Sequence, residues 1–418
     1  MTEDDPRERL AEVIRHEGTR VLATLTRTLG SLQLAEDAVQ EAALAALRTW
    51  PRTGVPDHPR AWLAVTARHK AYDVIRREAA RSGKESAAEQ LRPEPADEVL
   101  AAAEPDSVVR DDLLRLAFTC CHPVLSREAQ VALALRTLAG LNVAVIARAF
   151  LVPEATMAKR LVRARQKIAS ARVPYQVPSD AELPARLPAV LAVVHLIATE
   201  AHAPAEGPDV TRVDLEAEAL RLARLLAELM PDQPEVISLL ALLLFTAARR
   251  PARSGENGEP VLMADQDRSR WDRAAIGEAV QLLDEAVRLS GGVAGVYQLQ
   301  AHLSAAHATA PSWPDTDWDR IVGLYDLLLR VTDNPAVALN RAVAVGERDG
   351  PAAALTALDA AGGMPGSHLW HAARADALRR LGQLDDARDE LRQALELTTS
   401  DPDRRLLTRR LAGLSADR

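Results

Sequence analysis

The sequence is poor in cysteine and in aromatic residues, and each shortage excludes a class of protein. The two cysteines, Cys120 and Cys121, are adjacent. Neighbouring cysteines cannot build a disulfide framework, so a reducing compartment is expected. Aromatic residues make up 3% of the 418 residues. This disfavours an all-β fold, because sheets prefer β-branched and aromatic side chains.

Long apolar runs are also missing. The most apolar stretch, residues 236–248, is too short to span a bilayer. The first six residues, MTEDDP, do not have the basic segment followed by an apolar segment that marks a secretory signal. We therefore expect a cytoplasmic protein with no membrane partner.

The sequence is rich in helix-forming residues, and its charges are unevenly distributed. Hydrophobic residues reach 48%, which excludes wholesale disorder. Ala, Leu and Arg dominate, and they favour an all-α fold. The net charge of −8 argues mildly against nucleic-acid binding. However, residues 84–112 hold nine acidic and three basic residues, whereas residues 155–179 hold no acid.

Four segments follow from these shifts in composition. Residues 8–82 read as several helices, residues 83–112 as an acidic linker, and residues 113–172 as helices that end in a basic run. A proline-rich stretch then precedes a long helical segment, residues 185–418. Gly382 and Gly350 lie 32 residues apart in similar settings. This spacing predicts a tetratricopeptide-like α-solenoid of irregular units.

The clearest local pattern is a helix-turn-helix. Residues 143–150 predict a short helix, Pro153 suits the first position of a new one, and residues 154–168 predict a second helix. The second helix has an apolar face of Met157, Leu161, Ala164 and Ile168. Its opposite face carries Thr156, Lys159, Arg160, Arg163, Gln166 and Lys167. Such a cationic, amide-bearing face suits the major groove of DNA.

A second helix pattern has an acidic face. Over residues 35–50, the interpretation places Val39, Ala43, Ala46, Leu47 and Trp50 inward. The other face presents Asp37, Gln40, Glu41 and Leu44. Carboxylates around one exposed apolar residue indicate a docking patch for a basic protein partner.

A third helix, over residues 60–77, mixes an apolar stripe with a polar outer side. The predicted stripe is Leu63, Ala64, Ala67, Ala71 and Val74. The outer side carries His69, Lys70, Asp73, Arg76 and Arg77. By itself this pattern is as typical of a solvated face as of a binding site.

Together and in this order, these patterns resemble the bacterial sigma-70 factors. Asp37-x-x-Gln40-Glu41, then Trp62-Leu63, then Asp73-x-x-Arg76-Arg77 are similar to sigma region 2, and residues 152–165 are similar to region 4. The absence of an intervening region 3 points to the extracytoplasmic-function group. The fold implied is a region 2 helical bundle, a linker and a region 4 helix-turn-helix.

The resemblance implies a role for each surface. Asp37, Gln40, Glu41 and Leu44 would dock on the clamp of the largest subunit of core RNA polymerase. His69, Lys70, Asp73, Arg76 and Arg77 would engage the −10 element of promoter DNA as it opens. The basic face of residues 154–168 would read the −35 element, and the acidic linker would thread the polymerase. Because the polymerase is the catalyst, we expect no enzyme, no catalytic residue and no cofactor.

The C-terminal segment resembles the extension of one subgroup of these factors. The similar stretches are residues 114–123, 265–272, 297–301, 315–318 and 338–342. Residues 195–202 depart from that pattern, since an aromatic-rich stretch with an asparagine before the glutamate is expected there. We expect the extension to control activity in cis, by docking on the DNA-reading modules or by binding a protein or ligand partner.

Other interpretations remain open. The chain could be a stand-alone helix-turn-helix regulator with a tetratricopeptide-like sensor domain, or the C-terminal segment could be an enzyme. Cys120-Cys121-His122 and the pair His368 and His371 could suggest a metal site, but no further spaced ligands accompany them. We expect both groups to be structural. The arginines within residues 265–272 are expected to form ion pairs or a helix-capping network.

Overall fold

The all-α prediction is confirmed by the computed structural model. It describes residues 6–82, 106–138, 140–150, 152–176, 182–204, 210–255, 258–364 and 366–416. Within those ranges the named elements are all helices. The chain divides into a unit that ends at Val193 and a unit that begins at Val194.

The helices of the N-terminal unit are α1 (Pro6–Leu29), α2 (Leu32–Thr53), α3 (Pro59–Ser82), α4 (Asp106–Cys120), α5 (Arg127–Thr137), α6 (Val143–Ala149) and α7 (Glu154–Ser170). The next helix, α8 (Leu183–His202), contains the boundary between the units. Those of the C-terminal unit are α9 (Val213–Leu229), α10 (Pro234–Ala248), α11 (Arg273–Leu289), α12 (Val296–Thr309), α13 (Trp318–Val331), α14 (Pro335–Asp349), α15 (Pro351–Ala360), α16 (His368–Arg380), α17 (Leu384–Leu397) and α18 (Asp401–Ala416).

Helices α1, α2 and α3 form the first bundle. Helix α2 begins after Ser31, whose side chain accepts a hydrogen bond from the Leu34 amide and so satisfies one of the free donors of the first turn. Near its end, Trp50 is 1% exposed and meets Trp62 of α3 edge-on at 5.5 Å between ring centroids. The buried face of α2 is Leu32, Ala35, Glu36, Ala38, Ala42, Ala46 and Trp50. The small alanines let α1 and α3 approach closely.

The inward face predicted for α2 is only partly right, because Ala46 and Trp50 are buried but Val39 and Ala43 are half-buried. Leu47 is 43% exposed and lies beside Leu44, which is 44% exposed. The buried stripe follows the alanines at positions 38, 42 and 46, so Leu47 falls outside it. The stripe predicted for α3 is close to the structure, since Leu63, Ala67 and Ala71 are buried.

The acidic linker is shorter than the sequence interpretation assumed. Helix α4 begins at Asp106, inside the stretch assigned to the linker, while residues 83–105 lie outside the described residues. Asp112 is completely buried and pairs with Arg27 at 2.9 Å and with Arg115 at 3.1 Å. It therefore joins α4 to α1 and is not a solvent-exposed linker acid.

The helix-turn-helix consists of α6 and α7, supported by α5. The Asn142 side chain accepts a hydrogen bond from the Val145 amide at the start of α6. Pro153 stands directly before α7, where its missing N–H costs nothing. Met157, Leu161, Ala164 and Ile168 are buried, as predicted. The opposite face of α7 is therefore left toward solvent.

The C-terminal unit is a run of helices in which most pack against the next one along the chain. Helix α10 is buried almost along its whole length. Between α14 and α15, Gly350 adopts a φ of 95°, a conformation that favours glycine. A Cβ on Gly346 would lie 2.7 Å from the Cβ of Ala354, so this position requires glycine for the two helices to meet. These hairpins fit the tetratricopeptide-like architecture, which stays a prediction.

Candidate polymerase and nucleic-acid interface

The acidic face of α2 is exposed. Asp37, Gln40, Glu41 and Leu44 all lie on the solvent side of the helix. The alanine stripe on the other side holds α2 against its neighbours, so this face is presented on a rigid element. With Leu47, which sequence reasoning missed, it forms an apolar patch bordered by carboxylates. We call this surface, residues 37, 40, 41, 44 and 47, the acidic patch.

The outer side of α3 is also exposed. His69, Asp73, Arg76 and Arg77 lie toward solvent, and Lys70 is half-buried. Asp73 accepts a hydrogen bond from Arg76 at 2.6 Å, and its backbone carbonyl accepts one from Nε of Arg77 at 3.1 Å. Asp73 thus orients two guanidinium groups that face solvent. Exposed pairs of this kind contribute only about 0–1 kcal/mol to stability.

Helix α7 presents the predicted basic face. Thr156, Lys159, Arg163, Gln166 and Lys167 are exposed. Arg160 is more restrained, because it pairs with Glu128 of α5 at 3.1 Å and lies 5.8 Å from the centre of the Phe150 ring. The structure therefore brings all six predicted residues to one surface, which we call the basic face.

One arginine of the basic run is not on that face. Arg165 packs against α2, where its Nε lies 2.5 Å from Glu36 Oε2. Thr137 donates a second hydrogen bond to Glu36 at 3.3 Å. Burial raises the pKa of Glu36, and Arg165 and Thr137 offset part of that rise. Both residues adjoin buried positions, since Glu36 lies in the buried stripe of α2 and Arg165 follows the buried Ala164.

Further contacts join the helix-turn-helix module to the first bundle. The Tyr175 hydroxyl lies 2.9 Å from the Ala23 carbonyl and 2.8 Å from the Asp112 carbonyl. Thr19 donates to the Leu138 carbonyl at 3.2 Å. Beside these contacts, α1, α2 and α7 line a cavity of about 270 Å³ that includes Arg165. The two modules thus form a single packed unit in this structure.

The Glu36–Arg165 pair yields a stability prediction. We expect Arg165→Met to lower the free energy of unfolding of the N-terminal unit by about 3 kcal/mol, because it leaves a buried carboxylate without its cation. Hydrogen exchange of α2 and α7 amides in the full chain measures this destabilisation. Arg163→Met, two residues away but exposed, should change exchange little.

The double variant Glu36→Gln/Arg165→Met tests the cause. It removes the uncompensated charge and should recover most of the protection against exchange, since replacing both members of a buried pair is often close to neutral. Equal exchange in Arg165→Met and wild type would show that the pair contributes nothing.

Of the residues considered for metal binding, the cysteines are buried and the histidines contact other residues. Cys120 and Cys121 are buried and free, and burial raises the pKa of both thiols, that of Cys121 to about 12. His122 accepts a hydrogen bond from the Val124 amide at 3.1 Å. His371 lies 2.6 Å from Glu390, which also accepts a hydrogen bond from Arg374. In the part of the chain that the structure describes, no cluster of three metal-ligating side chains occurs.

Within the segment of residues 265–272, the caps at helix starts come from aspartates and not from the arginines. Asp272 accepts hydrogen bonds from two amides at the start of α11, and Asp267 accepts one from the Ser269 amide. Arg268 donates to backbone carbonyls and not to a carboxylate, so the alternative of ion pairs within this segment does not hold for that residue.

Comparison with known protein families matches three segments of the chain. Residues 13–81 match the family Sigma-70 region 2, and residues 115–168 match Sigma-70, region 4. Residues 186–287 match a family of unknown function, DUF6596. An uncharacterized protein of Rhizobium meliloti (strain 1021) is 39% identical over 399 residues, which cover 95% of this chain and 94% of that protein.

The matches to sigma regions 2 and 4 define a promoter-recognition protein of bacterial transcription. The chain belongs to the sigma-70 family, in its extracytoplasmic-function type, and carries a C-terminal extension. It binds core RNA polymerase and directs promoter recognition, and the stand-alone regulator is not favoured. Sigma factors as a family are not enzymes. Among the described helices, none is both long enough and apolar enough to cross a membrane.

Proposed function

We propose that the acidic patch of α2 docks on the clamp of the largest polymerase subunit. The support is its exposure on a helix whose other face is locked in a core, together with the match to sigma region 2. Carboxylates around exposed leucines complement a basic partner surface, which gives both orientation and a faster encounter. Asp37, Gln40 and Glu41 provide the polar contacts, and Leu44 provides the apolar one.

The outer side of α3 acts at the −10 element in this proposal. Moving a base out of the DNA stack costs a few kcal/mol of free energy, and protein contacts must offset this cost. Arg76 and Arg77, oriented by Asp73, hold the phosphates of the opened strand. His69 and Lys70 lie about two turns before Arg76 and Arg77 on the same helix and extend the contact along the strand.

The basic face of α7 reads the −35 element as duplex DNA. Thr156, Lys159, Arg160 and Arg163 lie on the part of α7 nearest its N-terminus, which is the part of a recognition helix that contacts base edges. Gln166 and Lys167 follow along the same helix and contact the phosphate backbone. The chain supplies no catalytic group or cofactor, because the polymerase performs the chemistry, and it acts in the cytoplasm where polymerase and DNA are found.

The extension, residues 185–418, regulates this activity. A helical array offers broad concave surfaces for a protein or ligand partner. The segments proposed as domains are residues 8–82 for polymerase and −10 binding and 113–172 for −35 binding, with a linker between them that ends where α4 begins at Asp106. The family matches begin and end near the edges of the first and third segments.

Run-off transcription with purified core polymerase tests the proposal, on the promoter region of the protein's own gene neighbourhood. The full chain should produce a discrete transcript that core polymerase alone does not. This expectation rests on one observation: the acidic patch and the basic face are both exposed, and both lie in the N-terminal unit. No chain-dependent transcript, with an assembled holoenzyme, would contradict it.

Removal of the −10 contacts gives a more specific result. We expect Arg76→Ala/Arg77→Ala to reduce open-complex formation about tenfold, equivalent to ~1.4 kcal/mol. Permanganate reactivity of unpaired thymines in the −10 region measures the opening. A template that is already unpaired there should restore activity, since melting is then no longer required. An equal defect on both templates would assign these arginines to another step.

A further inference from the structure

Three arginines of the C-terminal unit converge where two helices end. Arg249 directly follows α10, Arg253 lies in the turn after it, and Arg268 lies in the capping segment. The Asp272 amide donates to the Ala248 carbonyl at 2.9 Å, which draws that segment back to the end of α10. Arg268 is 9% exposed and donates to the carbonyl of His307 at 2.7 Å, near the end of α12.

These arginines have no carboxylate partner. Within the described ranges, no carboxylate lies at ion-pair distance from Arg249, Arg253 or Arg268, whereas their neighbour Arg250 pairs with Glu216 at 2.7 Å. Arg249 instead contacts the Met263 sulfur at 3.1 Å. One nitrogen of Arg253, Nη1, donates to the His202 carbonyl at 2.6 Å and lies 2.7 Å from His202 Nδ1. Burial lowers the pKa of Arg249 to about 10, with a further contribution from Arg268. The pKa of Arg253 is likewise lowered to about 10, by burial and then by Arg249, although Glu216 and Asp403, both beyond ion-pair distance, offset part of this decrease.

Several buried nitrogens around this cluster have no hydrogen-bond partner. They are Nε of Arg249, Nη2 of Arg268, Nε1 of Trp271 and Nδ1 of His307. The guanidinium of Arg268 lies 4.7 Å from the centre of the Trp271 ring, so two of these donors belong to stacked groups. Burial, with Arg249 and Arg268, lowers the pKa of His307 to about 4, so its ring is neutral at neutral pH.

A buried cation without a counter-charge is costly, and so is a buried donor without an acceptor. The carbonyls at the end of α12 satisfy only Nη1 of Arg268. A water molecule could accept from the remaining donors, but it could not neutralise the charge. An oxyanion would do both, because guanidinium groups recognise phosphate through paired, charge-assisted hydrogen bonds.

We propose that Arg249, Arg253 and Arg268, with His307 and Trp271, form a binding site for a phosphate group within the extension. Three guanidinium groups and several N–H donors match a dianion with several acceptor oxygens better than a monovalent carboxylate. The phosphate group belongs either to inorganic phosphate or to a phosphorylated small molecule. The site does not depend on the polymerase-binding role of the other unit.

Thermal unfolding and calorimetry of the full chain test the site. The probes are inorganic phosphate, glycerol 3-phosphate as a phosphate monoester, and acetate, each at constant ionic strength set with chloride. We expect phosphate or the monoester to raise the melting temperature of the C-terminal unit by about 3–5 °C at saturation. Binding by the monoester but not by free phosphate would identify a phosphorylated metabolite as the source.

The variant Arg249→Gln distinguishes a phosphate-binding site from a cluster of arginines that is only structural. This variant should weaken phosphate binding at least about tenfold, since it removes a charge-assisted hydrogen bond. Without phosphate it should melt at the same or a higher temperature than wild type, because an uncompensated buried charge has been removed. Arg270→Gln, an exposed neighbour on the capping segment, should bind phosphate as wild type does.

Three results would overturn the proposal. The first is that neither phosphate compound gives a heat of binding or raises the melting temperature. The second is an equal rise of the melting temperature in wild type and Arg249→Gln, and the third is a response to acetate alone. If Arg249→Gln fails to fold, Arg268→Lys serves instead. It keeps the charge but lacks the fork of donors, and should also bind more weakly.

Discussion

Replacement of Asp37 and Glu41 by arginine is expected to abolish assembly with core RNA polymerase. Both carboxylates are exposed, so the substitutions leave the core of the bundle intact. Each reversal places like charges against the basic partner surface, and two reversals at ~1.4 kcal/mol each weaken binding at least about 100-fold. Co-purification of core polymerase with the tagged full chain, and native mass spectrometry of the mixture, measure the weakened binding.

A matched control comes from the extension. Asp386→Arg/Glu396→Arg makes the same change of charge on two exposed positions of α17. This variant should assemble like the wild type, because its net charge equals that of the α2 variant but the acidic patch is intact. Equal binding by both double variants would show that α2 does not provide the docking surface. Leu44→Ala/Leu47→Ala should weaken assembly to a lesser degree, because it removes only apolar contact area.

The second large effect is expected on α7. Lys159→Glu/Arg163→Glu should reduce promoter-specific initiation about 100-fold, since the removal of each base or phosphate contact costs about 1–3 kcal/mol. The dependence of promoter binding on salt should weaken as well, by about one unit of slope for each phosphate contact that the variant removes. Run-off transcription and filter binding by the assembled holoenzyme, across a series of salt concentrations, measure both.

Assembly with core polymerase distinguishes this prediction from the first one. The α7 variant should still join core polymerase with wild-type affinity, whereas the α2 variant should not. Arg330→Glu, an exposed position on α13, controls for the addition of negative charge. Normal initiation by the α7 variant would mean that this helix does not read promoter DNA. Failure to assemble would mean that its charges act on the polymerase.

Sequence periodicity located the exposed polar faces of α2, α3 and α7 because a helix sets the positions of its own side chains. Met157 and Leu161 are buried at helical spacing, and the cationic residues between them therefore face solvent. The same reasoning failed at Leu47, where the small residues of α2 shifted the contact stripe. Hydrophobicity predicts which side chains favour burial, but the shape of the partner helix decides which of them are covered.

Contacts between distant segments were not predictable in this way. Glu36 and Arg165 are 129 positions apart, and no local pattern links them. Asp112 looked like one acid of an acidic linker, yet it is buried between two arginines. Arg249 and Arg268 come together because the chain returns to the end of α10. A single sequence does not record such pairings, since they depend on how loops close.

The sequence by itself determined the helical composition, the acidic patch apart from Leu47, the basic face and the family, because these follow from residue type and helical spacing. The tertiary structure alone decided which charges pair inside the molecule and which remain available. Arg163 and Arg165 are two residues apart in one basic run, and yet one faces solvent while the other is held by a buried carboxylate. The reason is physical: a rotation of about 200° along a helix separates them, and only packing determines what each side meets.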